Sequence, residues 1–182
     1  MKIKAKIQGT TPLLMNRFSG DGDRTSKAIR PNGDPRKDAA RKLYADEAGN
    51  LFVPAVNVFS CLIAAGRFHK AGKNKLTTQR TSLIPAGMSI EQLICPLETK
   101  DWSVDSRAVV NPATGGRMIC HRPMLEKWSL SFTLEIDAEM FSLDLAERLL
   151  IDAGKRIGLG DFRPERKGPF GKFDVLEFKE VA

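Results

Sequence analysis

Polar and apolar residues alternate from the first residues of the chain. In "KIKAKIQG", Ile3, Ala5 and Ile7 fall on one side and Lys2, Lys4 and Lys6 on the other, the period of two expected of a strand with one buried face. The pattern is clearest in "KWSLSFTLEID", where Trp128, Leu130, Phe132, Leu134 and Ile136 share a face. Elsewhere the period lengthens. "PAVNVFSCLIAAGRF" reads as a buried helix: proline near its first position, apolar Val56, Phe59, Leu62 and Ile63, polar Asn57 and Ser60, and Gly66 at its end. "FSLDLAERLLIDAG" reads as a second helix, capped by Ser142, closed by Gly154, with Leu145, Leu149 and Ala153 on one stripe and Ile151 off it.

Shorter signals fill the gaps. "DPRKDAARKLYAD" has a helical pattern, "EAGNLFVP" turns into a short strand, and "TSLIPAGMSIEQLICPL" gives short strands around a Pro-Ala-Gly turn. "SRAVVNPATGGRMICHRP" predicts two short strands joined by "NPATGG", a hairpin that carries Arg107, Arg117 and Arg122. "KFDVLEFKEV" is a final strand. Two stretches resist assignment: "SGDGDRTSKAIRPNGDPRKD", read as a long mobile loop, and the basic "HKAGKNKLTTQR". The order β-α-β…β-β-α-β predicts an α+β, ferredoxin-like (RRM-like) antiparallel sheet with helices on one face. One domain over residues 1–182 is expected, with an inserted loop at 16–42 and an inserted hairpin at about 104–123.

Charge narrows the partners. The 182 residues carry a net charge of +7 and a pI near 9.5, which favours an anionic partner. Cys61, Cys95 and Cys120 are widely spaced and odd in number, so they predict reduced thiols rather than a disulfide framework or a zinc site. "DGD" at 21–23 lacks the rest of a calcium loop, and neither metal nor cofactor is expected. "MKIKAKIQGTTPLLMNRF" has no continuous apolar run, so a cytoplasmic protein without a membrane partner is expected.

The densest chemistry lies in "IGLGDFRPERKGPFGKF", residues 157–173, where Gly158, Gly160, Gly168 and Gly171 surround Arg163, Arg166 and Lys167. The stretch does not follow a strand and open a helix, and it lacks Gly-Lys-Ser/Thr, so it is neither a dinucleotide fingerprint nor a P-loop. A helix precedes it and a strand follows it.

That arrangement resembles the C-terminal glycine-rich loop of the RAMP superfamily of CRISPR-associated proteins, with "IGLG" (157–160) and "GPFGKF" (168–173) as the matching residues. "IQGTTPLLMNR" is similar to the family's first strand and turn, and "LFVPAVNVFSCLIAAGR" to its strand-then-helix segment. There Pro54 and Arg67 match the family pattern, and Ala55, Val56 and Asn57 depart from it. Size and basic loops are most similar to the subunit that multiplies along guide RNA in class 1 effector complexes, here a minimal or stand-alone version.

The resemblance implies sequence-independent binding of single-stranded guide RNA, with copies of the chain side by side and other effector subunits as possible neighbours. It implies loop N–H groups set against phosphates, charge from Arg163, Arg166 and Lys167, and a short thumb between Arg107 and Arg122. The remaining candidates for RNA contact are Asn16, Arg17, Asn57, Ser60, Arg67, His69, Lys70, Lys73 and Arg117. Phe18, Phe68, Phe162 and Phe170, in or beside loops, are candidates for stacking on bases. Two alternatives stay open. One is a metal-independent endoribonuclease using His69 or His121 as acid/base; separately, the resemblance to target-cleaving backbone subunits makes Asp21, Asp23 and Asp34, in the loop after the first strand, candidates for cleavage. The other is a protein–protein module that mimics or caps an effector backbone.

Overall fold

The structure, a computed structural model, describes residues 1–18, 34–110 and 114–181. In chain order the elements are β1 (Lys2–Gly9), β2 (Leu13–Leu14), α1 (Pro35–Ala40), β3 (Phe52–Pro54), α2 (Ala55–Ala65), β4 (Lys70–Ala71), β5 (Asn74–Lys75), α3 (Ile84–Gly87), β6 (Met88–Ile90), β7 (Ile94–Pro96), β8 (Ser103–Val110), β9 (Arg117–Leu125), β10 (Ser129–Ile136), α4 (Leu143–Asp152) and β11 (Phe173–Val181).

The main sheet has the order β11-β1-β10-β6, with every neighbouring pair antiparallel. With α2 between β1 and β6, and α4 between β10 and β11, this is the split β-α-β, ferredoxin-like arrangement. One face is dry. Ile3, Ala5, Ile7, Leu130, Phe132, Leu134 and Ile136 are buried there with α2's Val58, Leu62 and Ala65 and α4's Ala146, Leu149 and Leu150. Each fully buried Ile, Leu or Phe contributes about 1.5–3 kcal/mol relative to exposure. On the opposite face two of the β1 lysines meet acids: Lys2 pairs with Glu91 at 2.7 Å and Glu135 at 3.4 Å, and Lys6 with Glu98 at 2.7 Å.

A second sheet, in the order β2-β9-β8, carries the inserted hairpin. Its strands are 8 and 9 residues long, longer than the short pair expected, because the β pattern runs outward through charged positions such as Arg107 and Arg117. Residues 111–113, the first three of the expected "NPATGG" connection, lie outside the described residues, as do 19–33, which include Asp21, Asp23 and most of the stretch expected to be a mobile loop.

Three other expectations change. Val56 is not core: it is 65% exposed, and α2 buries Ala55, Val58, Cys61 and Leu62 instead, a stripe made of smaller residues than the pattern suggested. Gly154 does not end the second helix. After Asp152 the helix widens into a π turn, Ala153–Ile157, and stops at Gly158, whose φ of 77° no longer continues it. Gly154 sits inside that turn because a Cβ there would collide with the Phe173 carbonyl oxygen and ring. The pattern over "DPRKDAARKLYAD" gives a helix of only 6 residues, capped by the Asp34 carboxylate, which accepts the N–H groups of Arg36 and Lys37. The basic stretch after α2 contains a small hairpin, with Lys70 opposite Lys75 and Ala71 opposite Asn74.

Among the described residues, no helix is long and apolar enough to cross a membrane. Cys61 and Cys95 are buried and Cys120 half-buried, all unpaired. Burial pushes both buried thiols up to about 12, which keeps them protonated at neutral pH.

Candidate nucleic-acid interface

The glycine-rich segment is built into the fold at both ends. Lys172 donates its N–H to Thr11 Oγ1 at 2.9 Å and accepts the Thr10 N–H at 2.8 Å, while Gly171 N–H donates to the Pro12 carbonyl at 2.8 Å. Trp128, 3% exposed, pins the same corner by donating Nε1–H to the Thr11 carbonyl at 2.9 Å and meeting the edge of Phe173. At the other end, Asp161 N–H donates to Leu14 O at 2.8 Å. The "TTPLL" segment after β1 therefore zips to residues 160–172, which is why the two stretches that looked distinctive in sequence lie side by side.

The glycines serve this packing. At Gly160 a Cβ would overlap the Leu14 carbonyl; at Gly171, with φ of 71°, it would overlap the Leu159 carbonyl. Gly158 and Gly168 face neighbouring loop atoms in the same way. Most loop N–H groups are consumed internally: Leu159 by Gly171 O, Arg166 and Gly168 by Arg163 O, Lys167 by Pro164 O, and Phe170 by Phe162 O. The expected row of N–H groups aimed at phosphates is thus reduced. Among the described residues, only a few loop amides, Gly160 and Arg163 included, lack an internal acceptor.

Two clefts open beside the loop. The first, about 330 Å³, lies between α2, the end of β2 and residues 158–163. Asn57 and Ser60 line it from α2, and Asn16, Tyr44, Asp161 and Arg163 add further polar groups. The second, about 440 Å³, lies between the loop and the hairpin and gathers Arg107, Arg122, Arg163 and Arg166 with Phe162. Asp161 and Arg163 line both.

The arginines are already engaged. Arg107 Nε pairs with Asp105 at 2.7 Å, and its guanidinium lies 4.7 Å over the Phe170 ring. Arg122, 9% exposed, holds Nε 2.8 Å from Asp161 Oδ2, but its N–H is not aligned for a hydrogen bond. Arg163 donates to Gly160 O at 2.9 Å and pairs with Glu165 at 2.7 Å; Arg67 pairs with the other oxygen of the same carboxylate at 2.7 Å. Arg166 and Lys167 are exposed, and Lys167 adopts φ of 61° at the end of the Pro164–Arg166 turn.

Glu165 is thus the hub of a fork between α2's end and the loop. Burial alone would raise its carboxyl, but hydrogen bonds and charge from Arg163, then Arg67, outweigh that and hold it below the ordinary 4.5. A depressed carboxyl contributes stability that is complete above its unfolded value and lost as pH falls through the folded one. Glu165→Gln should therefore melt a few degrees below the parent at neutral pH, with the gap closing as pH drops below about 4.5. A gap that stays constant to pH 3 in thermal melts would contradict this role.

The other candidates lie apart. His69 sits with Nε2 2.9 Å from Asp152 on α4, and Asp152 also holds Arg156, so this histidine faces a helix and lines neither cleft. Lys70 and Lys73 are exposed on the small hairpin. His121 Nδ1 lies 2.7 Å from Ser106 Oγ across the β8–β9 ladder, on the hairpin face that also bears Arg117 and exposed Ile119 and Val110. Arg17 is exposed, its N–H donated to Lys42 O at 3.0 Å. Phe18 is 91% exposed and Phe68 46%, the latter under Arg156, whereas Phe170 is buried. Among the described residues no three His, Cys, Asp or Glu side chains gather to hold a metal ion. Asp161, Glu165 and Tyr44 escaped the sequence reading. The first two had a signal in the interleaving of acids and arginines in "DFRPER", while Tyr44 is brought in only by the tertiary fold.

No protein-family model matches the sequence, and no curated protein matches it significantly. The fold is shared with a chain in the cryo-EM structure of the Type III-B Cmr-beta bound to cognate target RNA, at 12% identity and a TM-score of 0.56, over 98% of this chain and 59% of that one. This chain thus spans less than two thirds of the length of the one it matches.

Proposed function

We propose that this protein binds single-stranded RNA through its sugar–phosphate backbone and serves as a repeating scaffold subunit of a CRISPR-type ribonucleoprotein. One observation carries the reading: α2, the "TTPLL" turn, the β8–β9 hairpin and the glycine-rich loop converge on two adjoining clefts lined by Asn57, Ser60, Arg107, Arg122, Arg163 and Arg166. It is supported by a fold shared with a chain of a complex that holds target RNA. Arginines and small polar groups at a groove attract and position phosphates without reading sequence, leaving bases free to pair.

The hairpin fits a thumb. Val110 (62% exposed), Ile119 (57%) and Met118 (42%) put apolar surface near its tip, suited to contact with bases or with a neighbouring copy. The endoribonuclease alternative has less behind it, since His69 and His121 lie in different parts of the fold and line neither cleft. A protein-module reading draws on the exposed Val56, Leu93 and Ile94 around the start of α2.

The test is to purify the protein from cells at moderate salt, record absorbance at 260 and 280 nm, and sequence any nucleic acid that co-elutes. Uniform small RNA in a complex heavier than the monomer is expected. A clean monomer that also fails to bind added oligonucleotides would overturn the reading.

A further inference from the structure

Asp161 is the single carboxylate lining either cleft among the described residues, and it lines both. A negative charge at the centre of a groove for a polyanion demands a reason. Ion pairing alone is an incomplete one. Arg122 Nε is 2.8 Å from Oδ2, yet the N–H is not aimed at it, so the contact gains charge attraction without a formed hydrogen bond. The other contacts hold the carboxylate in place: Asn16 Nδ2 donates to Oδ2 at 3.0 Å, Phe162 N–H donates to Oδ1 at 2.9 Å, and the Asp161 N–H is tied to Leu14 O. A carboxylate has about four acceptor sites. The side chain is 29% exposed, so it keeps acceptor capacity toward the groove.

A fixed carboxylate there repels a phosphate oxygen and welcomes a hydroxyl donor. In a single strand whose phosphates are drawn to the surrounding arginines, the one hydroxyl repeated at every sugar is the ribose 2′-OH, which deoxyribose lacks. We infer that Asp161 is a specificity-determining residue that accepts a hydrogen bond from a ribose 2′-OH, and so selects RNA over single-stranded DNA. This rests on the RNA-binding reading above and deepens it. Hydrogen bonds to charged acceptors are among the stronger ones, so losing one should weaken binding about tenfold or more.

The test compares short single-stranded oligonucleotides of one sequence as RNA, 2′-fluoro RNA and DNA, by fluorescence anisotropy at fixed salt. 2′-Fluoro RNA keeps an RNA-like sugar pucker but has no hydroxyl to donate. The parent protein should bind RNA about tenfold more tightly than either analogue. Asp161→Ala and Asp161→Val, which leave no side-chain acceptor and are each checked by thermal melting, should bind all three within about twofold of one another, with DNA binding equal to or tighter than the parent's. Two substitutions are used so that one folded variant suffices. A purely structural role for Asp161 would weaken all three ligands together and leave their ratios unchanged, which overturns the inference. Equal binding of RNA and 2′-fluoro RNA by the parent also overturns it while leaving RNA binding intact. Failure of the parent to bind any of the three overturns the RNA-binding reading and this inference with it.

Discussion

Gly171→Ala should cost about 3–4 kcal/mol of folding stability, read as a lower urea midpoint with an unchanged slope. Gly171 has φ of 71°, where an L side chain costs about 1–2 kcal/mol on its own. The added Cβ would also overlap the Leu159 carbonyl oxygen, so the strand of loop at 158–160 has to move. That movement breaks Leu159 N–H to Gly171 O and Gly171 N–H to Pro12 O, both 2.8 Å, each worth about 1 kcal/mol. Gly49 separates the two contributions. Its φ is 77°, but its Cβ would meet nothing within 4 Å, so Gly49→Ala should cost only the backbone part, about 1 kcal/mol. Equal losses for the two variants would show that residue 171 is not packed as described. Because the same segment floors the first cleft, RNA binding should fall with Gly171→Ala and be unaffected by Gly49→Ala.

The second large effect is on binding. Arg166→Glu with Lys167→Glu should weaken single-stranded RNA binding by about a hundredfold at moderate salt while barely moving the melting temperature. The structural reason is that these two cations are exposed at the loop, while Arg107, Arg122 and Arg163 are paired with Asp105, Asp161 and Glu165. Paired arginines contribute less net charge to the groove, so the exposed two carry a large share of the attraction. If each neutralises one phosphate, the slope of log binding constant against log salt should become shallower by about 1.4. Unchanged affinity and slope would sink the assignment of this loop to RNA and favour a protein partner.

Much of the sheet was readable from the order of residues alone. β1 and β10 alternate without interruption because one face of each is covered and the other is not, and the structure pairs them residue by residue from Lys2 opposite Glu135 to Gln8 opposite Ser129. β2 was hidden: two leucines after a proline carry no period, and their pairing with Met124 and Leu125 is decided by tertiary contact. Val56 misled for a related reason. Its spacing matched a helical stripe, but small residues, Ala55, Ala64 and Ala65, bring α2 close to its neighbours and turn Val56 outward. At the candidate site the arginines were legible as charge, but not their partners. Arg122 and Asp161 are distant in sequence and meet only because the hairpin folds over the loop. The histidines show the reverse: conspicuous by rarity, they lie beside Asp152 and Ser106 and line neither cleft.

The π turn at Ala153–Ile157 works as a phase setting. It holds one residue more than an α-helical path would need, and Gly158 N–H closes it on Ala153 O at 2.8 Å. Each residue of a helix rotates the chain by about 100°. Deleting Lys155, whose side chain is exposed, would let the helix resume ordinary pitch and launch Gly158 toward a different side of α2. Substituting Lys155 would alter nothing of the kind. The direction in which the loop leaves α4 is therefore set by the number of residues in this turn, so the stretch should accept exchanges of side chain and refuse changes of length.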